Sequence, residues 1–301
     1  MLMKKKLIIA GVLALTIVVA FGAYFVLNTR LGVHFALDVL GGGDAPPDHD
    51  PQTGPLVLTG TLTPVRTIDL PARIQQPSGI QHRGDRVYLS TDQTELFVGD
   101  GALSSWSDKT DLVGGPLLLK QGALEAIEFA DDTVFAIGEF GAIRAWVREG
   151  DGWQRIDDVS LPAGIADMEF SGITQLDGRR LATSEESPVL VDLDTGTVHE
   201  IDGGDRLKPG ADLGALQLSG LANENGDLYL LTETHSSILV VDPADYSIKS
   251  VWGIAPGTVA DLAVRDGKAY VVVDHNYLDE KPPVYVYELP RTPTHELHPE
   301  E

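Results

Sequence analysis

Between residues 56 and 290 the apolar positions fall in short alternating runs, each soon broken by Gly, Asn or Asp. Alternation of this period, cut by turn-forming residues, predicts short β-strands joined by tight hairpins. The stretch 218–242 shows the unit. Residues 221–223 lead into an Asn225-Gly226 turn, a second strand follows at 227–232, and a third at 238–242.

The same unit recurs. Aligned on an aromatic or leucine of the middle strand, the anchors are Tyr88, Phe135, Leu181, Tyr229 and Tyr270. Ten residues before each stand Ser78, Glu125, Ser171, Ser219 and Ala260. Turn signals fall between the two columns at Gly84-Asp85, Asp131-Asp132, Asp177-Gly178, Asn225-Gly226 and Asp266-Gly267. A third strand follows at 95–98, 142–146, 189–193, 238–241 and 284–288. Five units at a spacing of roughly 40 to 48 residues predict an all-β, five-bladed β-propeller, with six blades as the alternative. Outer strands are expected at 195–201 and 247–253. The last unit has none of its own, and the strand-like segment 64–70 precedes the first unit. That segment is therefore expected to complete the last blade and close the ring by joining the chain ends.

Outside the repeat the pattern changes. Lys4, Lys5 and Lys6 precede an uncharged run over 7–27, long enough at about 1.5 Å per residue to cross a hydrocarbon core of roughly 30 Å. The expected division is a cytoplasmic lysine cluster and transmembrane signal anchor at 1–30, a flexible stalk at 31–55, the propeller at 56–290 and a polar tail at 291–301. Lysines on the N-terminal side of the span place the propeller outside the cytoplasm. A cleaved signal peptide is the rival, and its apolar core would be shorter.

Charge and composition narrow the chemistry. The net charge is −23, from 45 acidic and 22 basic residues. Such a chain repels phosphate backbones, so nucleic acid is not an expected partner. The absence of cysteine excludes disulfides, thiolate metal sites and lipid attachment through an N-terminal Cys. The Arg83-Gly84-Asp85 tripeptide falls on a hairpin turn and reads as turn chemistry.

The acids themselves are ordered. Four residues after each anchor stand Asp92, Glu139, Glu185, Glu233 and Asp274. In a propeller this register lies where the second strand turns into the third, the same end at which the first strand begins. The five carboxylates are thus expected to share one mouth of the central channel with Glu125. As turn caps they need no counter-ion, since carboxylates about 10 Å apart in water repel by only about 0.4 kcal/mol. Pointed inward at about 6 Å, with an effective dielectric near 20, the repulsion is nearer 3 kcal/mol per pair. That geometry demands a cation or a raised pKa. Oxygen-only ligands make calcium the candidate, with Asp92, Glu125, Glu139, Glu185, Glu233 and Asp274 as candidate metal ligands. His235 and His275 lie beside this face as candidate general bases.

The first-strand starts Pro77-Ser78-Gly79-Ile80, Leu124-Glu125-Ala126-Ile127, Phe170-Ser171-Gly172-Ile173 and Leu218-Ser219-Gly220-Leu221 resemble those of the SdiA-regulated family of bacterial membrane-anchored propellers. Middle strands ending in an acid, as Leu228-Tyr229-Leu230-Leu231-Thr232-Glu233 does, resemble it too, as they do NHL-type and lactonase-type propellers. The resemblance implies a five-bladed propeller outside the cytoplasm with a calcium site and no established reaction. The family's usual Glu-Gly at this start is missing from the third unit, which has Ser171, and the fifth, which has Ala260-Asp261. The expected function is a membrane-anchored, exocytoplasmic module binding a ligand or protein partner at the acidic mouth. The alternative is a calcium-dependent hydrolase of the lactonase or gluconolactonase kind, with His235 or His275 as base.

Overall fold

The computed structural model describes residues 49–290, apart from 93–94, 110–123, 131, 139–142, 150–151, 157–158, 185, 256 and 274–281. The described residues form five sheets, antiparallel throughout except for one short added strand in blade four. Blade one is Pro77–Arg83, Arg86–Thr91, Leu96–Asp100 and Trp106–Asp108 from the inside out. Blade two is Leu124–Ala130, Thr133–Gly138, Ile143–Glu149 and Gly152–Ile156. Blade three is Phe170–Leu176, Arg179–Ser184, Val189–Asp192 and Val198–Glu200. Blade four runs Leu218–Glu224, Asp227–Thr232, Ser237–Val241 and Ile248–Gly253. Blade five has Val259–Arg265, Lys268–Val273 and Pro283–Glu288 from the end of the chain, and Arg66–Asp69 from its other side. The architecture is a five-bladed β-propeller.

Tight turns set the hairpins between first and second strands. Asp177-Gly178, Asn225-Gly226 and Asp266-Gly267 all have positive φ at both positions, the conformation that matches the right-handed twist of the flanking strands. Closure follows the expected route. Arg66–Asp69 pairs antiparallel with the third strand of blade five, Ile68 facing Val284, so the missing outer strand comes from ahead of the first unit. One strand was not foreseen. Gly60–Thr61 pairs in parallel with Trp252 and Gly253, giving blade four a fifth strand.

The repeat columns have a packing reason. Apolar side chains from facing blades fill all five interfaces of the ring. Tyr88, Phe135, Leu181, Tyr229 and Tyr270 each pack toward the following blade. Ile80, Ile127, Ile173, Leu221 and Leu262 on the innermost strands each pack toward the preceding one. The closing strand adds Ile68 and Leu70 to the interface between blades five and one, where they meet Ile80, Leu89 and Phe97.

Every innermost strand carries a register irregularity at one place. The residues skipped are Ser78, Glu125, Ser171, Ser219 and Ala260, so the column ten residues before the anchor is a column of β-bulges. A bulge bends a strand and lets it approach the axis. The next residue is small in blades one to four, Gly79, Ala126, Gly172 and Gly220, and is Asp261 in blade five. A Cβ on Gly172 would stand 2.6 Å from the Leu221 nitrogen and 2.8 Å from the Gly220 carbonyl carbon, both in blade four. One on Gly220 would stand 2.9 Å from the Leu262 nitrogen of blade five.

Space and backbone conformation can therefore be separated by mutation. Gly172 has no room, whereas Gly178 has open space but φ of +76°. Gly172→Val is expected to cost about 3 kcal/mol or more through forced separation of blades three and four. Gly178→Val strains only a turn and should cost about 1–2 kcal/mol. Urea unfolding of the two variants checks the order.

Candidate functional site

The mouth where the innermost strands begin is built by one backbone rule. The Asp92 N–H donates to the Gln76 carbonyl at 3.0 Å, and the Glu233 N–H donates to the Gln217 carbonyl at 3.0 Å. Each acid is thereby held beside the entry of its own innermost strand, at the end that carries the bulges. Asp92, Glu233 and the bulge residue Glu125 are all half-buried. Glu139, Glu185, Asp274 and His275 lie outside the described residues.

Two of the three bulge serines bond to a neighbouring blade at this mouth. Ser78 donates its hydroxyl hydrogen to the Leu124 carbonyl of blade two, and Ser171 donates to the Leu218 carbonyl of blade four at 2.5 Å. These bonds stitch neighbouring blades. Ser171 is also paired with the Thr183 hydroxyl at 3.1 Å.

His235 sits under a strap. Its ring lies against Gly54, and the two border a small cavity with Pro51, Leu56, Leu216 and Thr232. Residues 49–55, assigned to the stalk by their composition, run along blade four. The Lys208 ammonium donates to the Gln52 carbonyl at 2.8 Å and to the Gly54 carbonyl at 2.6 Å. The Val57 N–H reaches the Arg206 carbonyl at 2.6 Å, and His49 Nδ1 lies 3.0 Å from the Glu233 carbonyl oxygen.

Deeper on the axis are two acids that periodicity did not single out. Asp261 stands where blades one, three and four have glycine and blade two has alanine. It is only 3% exposed, and its Oδ2 accepts the Ile80 N–H of blade one at 2.9 Å. Glu128, 7% exposed, accepts a short hydrogen bond from the Gln81 side-chain amide. Burial pushes Glu128 up to about 8, against the Gln81 bond, the Phe129 N–H and the Arg83 charge. Burial likewise raises Asp261 well above the usual carboxylate range, and the charge of Glu128 adds to it. The N–H groups of Ile80, Leu262 and Leu221 pull the other way. Further along, His82 packs on Tyr270 with ring centroids 4.3 Å apart; burial, with Arg265, lowers it to about 4.

The sequence did carry a signal for both acids. Asp261 breaks a small-residue column, and Glu128 interrupts the apolar alternation of Leu-Glu-Ala-Ile-Glu-Phe-Ala. Calcium meets a harder test. Among the described residues, no three His, Asp or Glu side chains come together as a set able to hold a metal. The described part of the acid column is thus not by itself a calcium site.

A closed ring of five sheets with acids at the strand starts defines the chain as a β-propeller. Comparison with solved structures agrees. A glutaminyl cyclase from Myxococcus xanthus superposes with a TM-score of 0.54 at 13% identity, covering 77% of this chain and 97% of that one. A PQQ-bound aldose sugar dehydrogenase from Streptomyces coelicolor gives a TM-score of 0.49 at 11% identity, covering 75% and 98%. At 13% identity the likeness to the cyclase establishes the fold alone. Neither a protein-family model nor a curated protein matches the sequence.

The strap gives a local prediction. Lys208→Met removes the ammonium bonds to Gln52 and Gly54, a loss of about 1 kcal/mol at this half-exposed position. Limited proteolysis should then cut within 49–62 roughly fivefold faster, while the melting temperature of the ring stays within about 2 °C.

Proposed function

We propose that this chain is a membrane-anchored, exocytoplasmic β-propeller of the SdiA-regulated kind that binds a ligand or protein partner at its acidic mouth. The observation that carries the reading is the shared placement of Asp92, Glu125 and Glu233. Two of them are set beside innermost-strand entries by the same backbone bond, and the third lies on a bulge at that end. Half-buried acids gathered around one opening make a surface suited to a cationic partner. The anchor rests on the uncharged run over 7–27, which lies outside the described residues; among those described, no helix is long and apolar enough to cross a membrane.

The hydrolase alternative needs a histidine open to a metal-bound water. His235 is packed under Gly54, which weighs against it as that base; the other candidate, His275, lies outside the described residues. Calcium enters as an accessory ion whose ligands would include Glu139, Glu185 and Asp274 beside the described acids.

Calorimetric titration of calcium chloride into the full-length chain in detergent tests that mouth. Saturable binding is expected, with a Kd of about 0.1–1 mM as in extracellular modules, weakened at least about tenfold in Glu125→Gln and Glu233→Gln. No heat and no shift in melting temperature at millimolar calcium would remove the ion and leave only the charged rim.

A further inference from the structure

We propose that Asp261 and Glu128 form an axial proton lock, holding blades two and five together across the channel while a proton is bound and loosening them when it leaves. The innermost strands Leu124–Ala130 and Val259–Arg265 belong to blades that are not neighbours in the ring. They nevertheless approach each other across the axis. Only the innermost strand of blade one, Pro77–Arg83, lies between those blades in ring order, and it binds both acids. Its Ile80 N–H goes to Asp261 and its Gln81 amide goes to Glu128.

The surroundings leave the pair short of neutralising charge. Asp261 Oδ1 is buried with no hydrogen-bond partner among the described residues. The innermost strands of blades three and four bring Ser171, Gly172, Ile173 and Thr174, and Ser219, Gly220, Leu221 and Ala222, to this level, and none is charged. On blade one, Arg83 acts on Glu128 while its guanidinium also lies over the Phe129 ring, and His82 is turned onto Tyr270. On blade five, Arg265 reaches outward to the Gly84 carbonyl and Asp266. Glu125 stands on the bulge three residues before Glu128, and its charge has the same sign as the pair. Among the described residues Arg83 acts on Glu128 and no cation acts on Asp261, so full ionisation of these desolvated carboxylates costs more than retaining a proton. The charge of Glu128 adds to the raised affinity of Asp261, so an ionised Glu128 makes the Asp261 proton harder to lose.

The sign follows from the raised proton affinity of the folded state. Stability from this pair is fully present below the ordinary carboxylate range and is lost as pH rises through about 8. Thermal melts of the full-length chain between about pH 5 and pH 9, with Glu128→Gln, Asp261→Asn and the double variant, test it. The wild-type melting temperature should fall as pH rises. Glu128→Gln should remove part of that fall, matching wild type near pH 5 and melting several degrees higher near pH 8.5. The double variant should be flatter than either single one, because burial raises both acids. A wild-type curve that is level or rises over this range overturns the lock, as does a Glu128→Gln curve with the wild-type slope. Should the variants fail to fold, carboxyl carbon NMR of the wild type decides: a side-chain carboxyl titrating above about pH 6.5 is expected, and none doing so refutes the proposal.

Discussion

Five innermost strands must come within backbone contact of one another around an axis, and the rest of the molecule is arranged to permit it. The bulge at Ser78, Glu125, Ser171, Ser219 and Ala260 bends each strand inward. In blades one to four the small residue after it clears the way for the next blade. Ser78 and Ser171 convert the same approach into hydrogen bonds between blades. The large side chains can then do what large side chains do in any core, and each anchor residue fills the gap to the following sheet.

The same crowding determines what an acid can be at each depth. At the mouth, Asp92 and Glu233 keep contact with solvent and sit where a partner can meet them. A few ångströms of chain further in, at Asp261 and Glu128, the water is gone and the negative charge that suits the surface becomes a burden. A strongly acidic chain thus holds two carboxyl groups whose preferred state is neutral. Position along the innermost strand separates the two behaviours more sharply than residue type does.

Much of this was legible because packing repeats. The anchors, the bulge column, the hairpin turns and the closing strand all leave a mark in every unit, and a mark repeated five times stands above the noise of local propensity. The closing strand was readable from a deficit, since the last unit lacked an outer edge. What escaped is what occurs once. Gly60–Thr61 is too short to show alternation, and it pairs in parallel with a strand nearly two hundred residues away. The strap at 49–55 has the proline and glycine content of a linker; only Lys208 and the blade-four surface turn it into a packed segment. Asp261 was visible as an exception to a family pattern, but nothing in its spacing tells that the site is dry. Of the acid column, Asp92 and Glu233 stand at the expected end of their sheets, while the direction of each carboxylate depends on turns that periodicity does not describe.

Ring closure by Arg66–Asp69 on Pro283–Glu288 has a consequence for how the molecule is made. The first of these segments is synthesised before its partner, with roughly two hundred residues between them. At about 5–20 residues per second, the early strand waits on the order of tens of seconds beside an unfinished sheet. During that interval the nascent chain exposes a strand edge and the apolar face of Ile68 and Leu70, surfaces that attract other unfinished chains. The arrival of Pro283–Glu288, more than any single contact, is what allows the ring to close.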